Sequence, residues 1–528
     1  MKTIDLKSYA PRPGRVVEWT AGPAALAAAA RAAQDPAPPS LNQDAHVKSY
    51  LAARQLGRPM STWLATRFEI PGEPDLAALD RALHAWILRH ETLRSGFRLA
   101  GDEVVRFTLA ESEVALVRGE LGPHTGAEEI RGLLERRFEE HTDPRVWPAF
   151  HFLAVLREDG ATLYFGCDHV HVDGYSMLFI AAEIRELYAA AAEDRAAELP
   201  PVGSHVEYSR IERASAAAVD RADPRIVRWR EFVRACDAGA PSFPLELGVP
   251  VGEMPRQEAL LTELIDAPTA AALDAVCRSA GGSIYAGLLA AMSIAAYELG
   301  GHEVYRAAVP LHTRASAEWV EALGWYVGPA PVEIRTHEAR DFRELVALAR
   351  QAVGTVRSFP AVPFSRMVQL LGEDFRSTSL EPFSLVSYMD MRIARGAEHW
   401  EDWKAAVLGR TYWGDQVYLW INRGHDGIHV IGRHPDTALA TANVARFVDH
   451  VRDVLTTVAA QGNWLLVRSG AGEPESGPAQ GPAATGPEPT RVGDLASKAA
   501  STATASSSRA HASISAGASR WVSAQTAK

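Results

Sequence analysis

Cysteine is scarce in this chain. The three thiols, Cys167, Cys236 and Cys277, are widely spaced, which excludes a disulfide framework and a multi-thiolate zinc site and points to a reducing cytosol. Long apolar runs are missing too. None approaches the roughly 20 residues that a membrane-spanning helix needs. The Ala-rich stretch from Ala24 to Ala33 carries Arg31 and has no clear basic lead or cleavage site, so it does not read as a secretory signal. Positive charge is not in excess: the net charge is −11, which gives no reason to expect nucleic acid or an anionic membrane as partner. No G-x-S-x-G occurs, so a serine nucleophile on a strand-to-helix elbow is not called for. Aromatic residues vanish between Trp464 and Trp521. Ser, Ala, Gly, Pro and Thr dominate there, and residues 468–528 are expected to remain disordered because they cannot bury enough apolar surface to offset their ordering entropy.

What is present describes an ordinary globular protein, 47% hydrophobic and 23% charged over 528 residues. That length exceeds what one core usually organises, so two lobes are expected. A first lobe over 1–210 alternates strand and helix patterns. Gly14 to Thr20 and Ala161 to Cys167 read as strands. Asp75 to Leu93 places Leu76, Leu79, Leu83, Trp86, Ile87 and His90 at helical spacing, with Asp75 as the start signal. A polar bridge over 211–252 leads to a second lobe over 253–467. There Ala259 to Leu264, Val304 to Val309, Ala330 to Ile334, Phe383 to Met389, Gln416 to Asn422 and Ile428 to Arg433 read as strands. Ile284 to Leu299 is apolar nearly all round, which marks a buried helix. The fold class is therefore mixed α/β, with the βα content of the first lobe repeated in the second.

The chemistry concentrates in Cys167-Asp168-His169-Val170-His171-Val172-Asp173-Gly174, between a strand-like run and an amphipathic helical run. Three readings compete. Strict strand alternation would put His169, His171 and Asp173 on one face, an H-x-H-x-D array able to hold zinc. That array resembles the first part of the metallo-β-lactamase signature, but Gly174 stands where that signature continues with histidine. Alternatively, both histidines are ordinary buried residues with satisfied hydrogen bonds. The third reading is a general base: an imidazole is suited to taking the proton of a hydroxyl or amine as it attacks a thioester carbonyl. A buried carboxylate–arginine pair would stiffen the loop, and Gly174 would leave room for a thioester arm close to the backbone.

The third reading gains from a resemblance. His169-x-x-x-Asp173-Gly174 is similar to the core motif of the HHxxxDG acyltransferase superfamily. That superfamily includes chloramphenicol acetyltransferase, the condensation domains of nonribosomal peptide synthetases and the polyketide-associated (Pap-type) acyltransferases of actinomycetes. Arg89-His90-Glu91-Thr92-Leu93-Arg94-Ser95-Gly96-Phe97 resembles the condensation-domain RHExLRTxF motif. Pro39-Ser40-Leu41-Asn42-Gln43, His205-Val206-Glu207-Tyr208, Gly324-Trp325-Tyr326-Val327-Gly328 and Val362-Pro363-Phe364 follow in family order over roughly residues 15–465. Asp168 occupies the more variable first-histidine position, His171 a variable one, and Tyr412-Trp413-Gly414 only suggests the DFGWG-type segment. Gly14 to Thr20 and Ser387-Tyr388-Met389-Asp390 look more like the stand-alone Pap-type proteins.

The resemblance implies two chloramphenicol-acetyltransferase-like lobes in a pseudo-dimer, with an active-site tunnel between them. It implies His169 as general base and Asp173 as a structural carboxylate paired with Arg94, with Arg314 as the rival. Asp168, His171, Ser387 and Trp413 are possible contributors. No metal or tightly bound cofactor is implied. The acyl donor would ride on the phosphopantetheine of a carrier protein or on coenzyme A, and the acceptor would be a small alcohol or amine. Ester formation in secondary metabolism is the first expectation. An amide-forming condensation enzyme, or an inactive module that only recruits a carrier protein, is the alternative.

Overall fold

The computed structural model describes residues 1–55, 62–236, 239–376, 381 and 383–467. The segment 468–528, expected to be disordered, lies outside the described residues.

Among the described residues, fifteen strands run in chain order: β1 (Lys2–Asp5), β2 (Gly14–Ala21), β3 (Trp63–Pro71), β4 (Ser95–Ala100), β5 (Glu103–Thr108), β6 (Leu116–His124), β7 (Phe150–Arg157), β8 (Gly160–Asp168), β9 (Gln257–Asp266), β10 (Val304–His312), β11 (Val327–Arg335), β12 (Leu385–Asp390), β13 (Ala406–Gly409), β14 (Tyr418–Arg423) and β15 (Gly427–Pro435). They form a seven-stranded sheet ordered β1-β13-β3-β8-β7-β2-β6, a six-stranded sheet ordered β11-β10-β12-β14-β15-β9, and the hairpin β4-β5. With helices packed on the sheets, this is the mixed α/β, two-lobed architecture anticipated above.

The first sheet is built from apolar strands. All nine residues of β8 are buried, as a central strand covered on both faces requires. The helix Leu76–Arg89 begins where Asp75 caps it, accepting from the amides of Ala77 and Ala78, and it packs on the helix Ile180–Ala192. In the second lobe, the helix Ile284–Gly300 contributes ten buried residues to a core shared with the helix Ala438–Gln461. Among the described residues, no single helix is long and apolar enough to cross a membrane. The helices Ala267–Ser279 and Ile284–Gly300 reach that length only together, across a 92° bend.

Two features differ from the linear picture of the chain. The segment 211–252 is substantially helical: it contains the end of the helix His205–Ala217 and the whole of Pro224–Arg234, whose Trp229 and Phe232 belong to the second lobe's core. The short β13, from the C-terminal half of the chain, crosses into the first sheet between β1 and β3. The lobes are therefore stitched together by main-chain hydrogen bonds as well as by side chains.

Candidate active site

β8 ends at Asp168, so strand alternation stops before the histidines and the chain turns. The turn is built around the Asp168 carboxylate, which is fully buried. It accepts from the Val170 amide at 2.8 Å, from His46 Nε2 at 2.8 Å and from the Thr62 hydroxyl. The His169 amide donates to the Thr62 carbonyl at 2.9 Å, which anchors the turn to the residue preceding β3. Gln43 secures it from another side, donating to the Val170 carbonyl at 2.9 Å.

His169 stands on the wall of a cavity of about 480 Å³. Its ring centroid lies 3.8 Å from that of Trp325, and its Nδ1 is enclosed without a hydrogen-bond partner, which leaves Nε2 to meet a substrate. Burial, reinforced by the neighbouring His46, pushes the imidazole down to about 3, so it is neutral at any pH near 7. The cavity is walled by the first lobe through Leu64, Met177 and Leu178, and by the second through Leu311, Leu385 and Trp420. That is the tunnel position expected from the resemblance.

Asp173 makes a bidentate ion pair with Arg314 across the lobes, 2.7 Å to Nη1 and 3.1 Å to Nη2. It also accepts from the amides of Ser176 at 2.7 Å and Tyr326 at 3.0 Å. Burial alone would raise this carboxyl; Arg314 and the amides outweigh it and hold it below the usual carboxylate value. The expectation that Arg94 holds Asp173 is corrected here. Arg94 ends the turn before β4 and spends its guanidinium on the Leu109 carbonyl at 2.6 Å, within the first lobe.

The other sequence-selected residues fall into clear places. Gly174 and Ser387 line the cavity beside His169. His171 points away from it, its Nδ1 3.1 Å from the Thr92 hydroxyl and its ring against Phe97. Trp413 does not join the site: it is half-exposed and stacks under Arg256 on the second lobe. The H-x-H-x-D array does not converge on a point, because Asp173 is saturated by Arg314 and His171 is turned toward Thr92. Among the described residues, the three possible ligands that do cluster are Glu18, His141 and His151. There the Arg137 guanidinium already neutralises Glu18 at 3.1 Å, and the two imidazoles lie stacked and parallel, an arrangement unsuited to sharing one ion.

The flanking motifs act as clamps. Arg89, His90 and Trp86 converge on the buried Glu183, at 2.9, 2.7 and 2.8 Å, joining the two helices beneath the site. His205 accepts from the Trp325 amide at 3.2 Å, and a Cβ on Gly324 would run into the His205 ring. Asn42 donates to the Val327 carbonyl at 2.9 Å. Sequence reasoning missed His46 altogether. It sits in the helix Leu41–Gln55, four residues beyond Asn42, and nothing local distinguishes it.

Fold and site together define a two-lobed protein with a histidine on the wall of an interlobe cavity, and comparison with known proteins gives its class. The Condensation domain family matches residues 50–388. Acyltransferase PapA3 of Mycobacterium tuberculosis is 26% identical over 87% of this chain and 96% of its own length. Trehalose-2-sulfate acyltransferase PapA2 of Mycobacterium bovis is 27% identical over 88% and 98%. The solved structure of a PapA2 acyl transferase superposes with a TM-score of 0.79 at 25% identity, covering 87% of this chain and all of that one. The first condensation domain of the calcium-dependent antibiotic synthetase shares the fold, with a TM-score of 0.59 at 17% identity over 82% and 98%. The chain belongs to the condensation domain family and is an acyltransferase similar to the mycobacterial Pap enzymes.

Proposed function

We propose that this enzyme transfers an acyl group from a phosphopantetheine or coenzyme A thioester to a hydroxyl group, with His169 as general base. The observation that carries the reading is the division of labour at the turn. His169 presents a neutral imidazole to the cavity, while the two carboxylates that line it, Asp173 and Asp390, are tied to Arg314 and Arg392. As the acceptor oxygen attacks the thioester carbonyl, its proton passes to His169 Nε2. The tetrahedral intermediate then expels the thiolate, which takes the proton back from the imidazolium and leaves as thiol. Trp325 restricts the ring to one orientation.

A sugar-type acceptor is favoured by the relatives named for acylating trehalose-2-sulfate. The alternative of an inactive recruiting module rested on Asp168 in the first-histidine position. The role of Asp168 in building the turn under His169 supports an active enzyme instead. The test is acceptor-dependent thiol release from a panel of acyl thioesters, with wild type and His169→Ala compared in the presence of a chelator. Release that needs His169 and ignores the chelator supports the proposal. Equal release from both proteins, or loss on chelation, overturns it.

A further inference from the structure

Asn422 lies in the second lobe's wall of the cavity, near the end of β14. Trp420 and Asn422 line the cavity while Leu419 and Ile421 do not, so the period of two along the strand aims the Asn422 side chain inward. It is 4% exposed, and neither its oxygen nor its nitrogen has a hydrogen-bond partner among the described residues. Its neighbours on that face are Trp420 on its own strand and its register partners Met389 on β12 and His429 on β15. The carboxamide therefore opens onto the cavity with its hydrogen-bonding capacity free for whatever occupies that space.

We propose that Asn422 is a specificity-determining residue that hydrogen-bonds a hydroxyl of the acceptor. This inference rests on the acyl-transfer reading above. A carboxamide offers a donor and an acceptor side by side, which matches a hydroxyl that both gives and takes a hydrogen bond. Ser387, on the same face of the adjacent β12 and also lining the cavity, offers a second polar contact to the same polyol. The apolar wall residues, Leu64, Met177, Leu178 and Leu311 among them, take the apolar part of the substrates. A site built to hydrogen-bond a hydroxyl discriminates strongly against analogues that lack it, because the protein's own polar group is then left unpaired.

The test compares wild type with Asn422→Leu, with trehalose as the acceptor probe, by steady-state kinetics, calorimetric titration and thermal melting. The expected result is an acceptor KM raised about tenfold, with the thioester KM and the His169-dependent hydrolysis of the thioester by water unchanged. The melting temperature should be unchanged, since the substitution removes no hydrogen bond within the protein. An unchanged acceptor KM, a raised thioester KM or a melting temperature lowered by several degrees would each overturn the assignment. Hydrolysis by water separates the two ideas: if it persists and needs His169 while trehalose kinetics ignore Asn422, acyl transfer stands and Asn422 does not. If no thiol is released at all, the transfer reading fails. Calorimetry then decides on Asn422: trehalose binding weakened about tenfold by Asn422→Leu sustains it, and absent or equal binding overturns it.

Discussion

Arg314 grips Asp173 through both guanidinium nitrogens, at 2.7 and 3.1 Å, across the boundary between the lobes. The same guanidinium donates to the Trp319 carbonyl at 3.0 Å, so the segment after β10 is folded onto the catalytic turn. Asp173 thereby acts as a bolt between lobes, and His169 is placed by a loop that cannot drift.

Removing either partner strands a buried charge. Asp173→Ala and Arg314→Ala should each cost on the order of 3–5 kcal/mol of stability, read as a shift in the urea midpoint, with activity lost alongside. Arg94→Ala should leave the Asp173 contacts intact. A soluble, fully stable but slow Asp173→Ala protein would contradict the structural role.

His169→Ala should fold normally, because its enclosed Nδ1 makes no hydrogen bond. Loss of a general base should lower thiol release by roughly 10²–10⁴-fold. Thermal melting beside a thiol-release assay checks both halves of this expectation.

Acidification should destabilise the protein earlier than carboxylates alone would dictate. Burial holds His141 at about 4, and His169 and His171 at about 3, against about 6.5 in an unfolded chain. Between these values the unfolded state binds more protons, so stability rises with pH and is complete above about 6.5. Glu212, raised by burial to about 7, works the opposite way, its contribution fading as pH rises from about 4.5 to 7. Three histidines outweigh one glutamate. The urea midpoint should therefore fall as pH drops from about 6.5 to 5, and a flat or rising midpoint would count against these burials. For the same reason, the pH profile of kcat/KM should show no inflection near 6.5 belonging to His169.

Gly174 lines the cavity, and a Cβ built there meets nothing within 4 Å. Gly174→Ala should fold as wild type does yet raise the thioester KM several-fold, if the arm passes close to this backbone. Circular dichroism together with donor titration would show it. An unchanged donor KM would remove Gly174 from the donor path.

The catalytic turn was legible in the linear chain because its determinants are local: an apolar strand, a histidine, an aspartate and a glycine within one turn. The helix Leu76–Arg89 was legible for the same reason, since its apolar residues repeat at helical spacing and Asp75 announces its start. The residues that complete the site were not legible. Arg314 is 141 residues from Asp173 in sequence, and Arg94, in a motif of its own, was as eligible by charge. His46 reaches Asp168 from a helix 122 residues earlier. Trp413 looked like a site residue by its neighbours in sequence but lies outside the cavity.

By itself, then, the sequence determined the two-lobed α/β organisation, the turn that carries His169 to the cavity and the presence of a structural carboxylate. The tertiary structure alone decided which arginine pairs with that carboxylate, which histidine supports the turn, and which polar side chains face the cavity. The reason is physical. Periodicity and turn chemistry act between residues close in the chain. An ion pair or a hydrogen bond across the lobes depends on how β10, β13 and β14 are brought against β8, and that packing leaves no mark in any short stretch of residues.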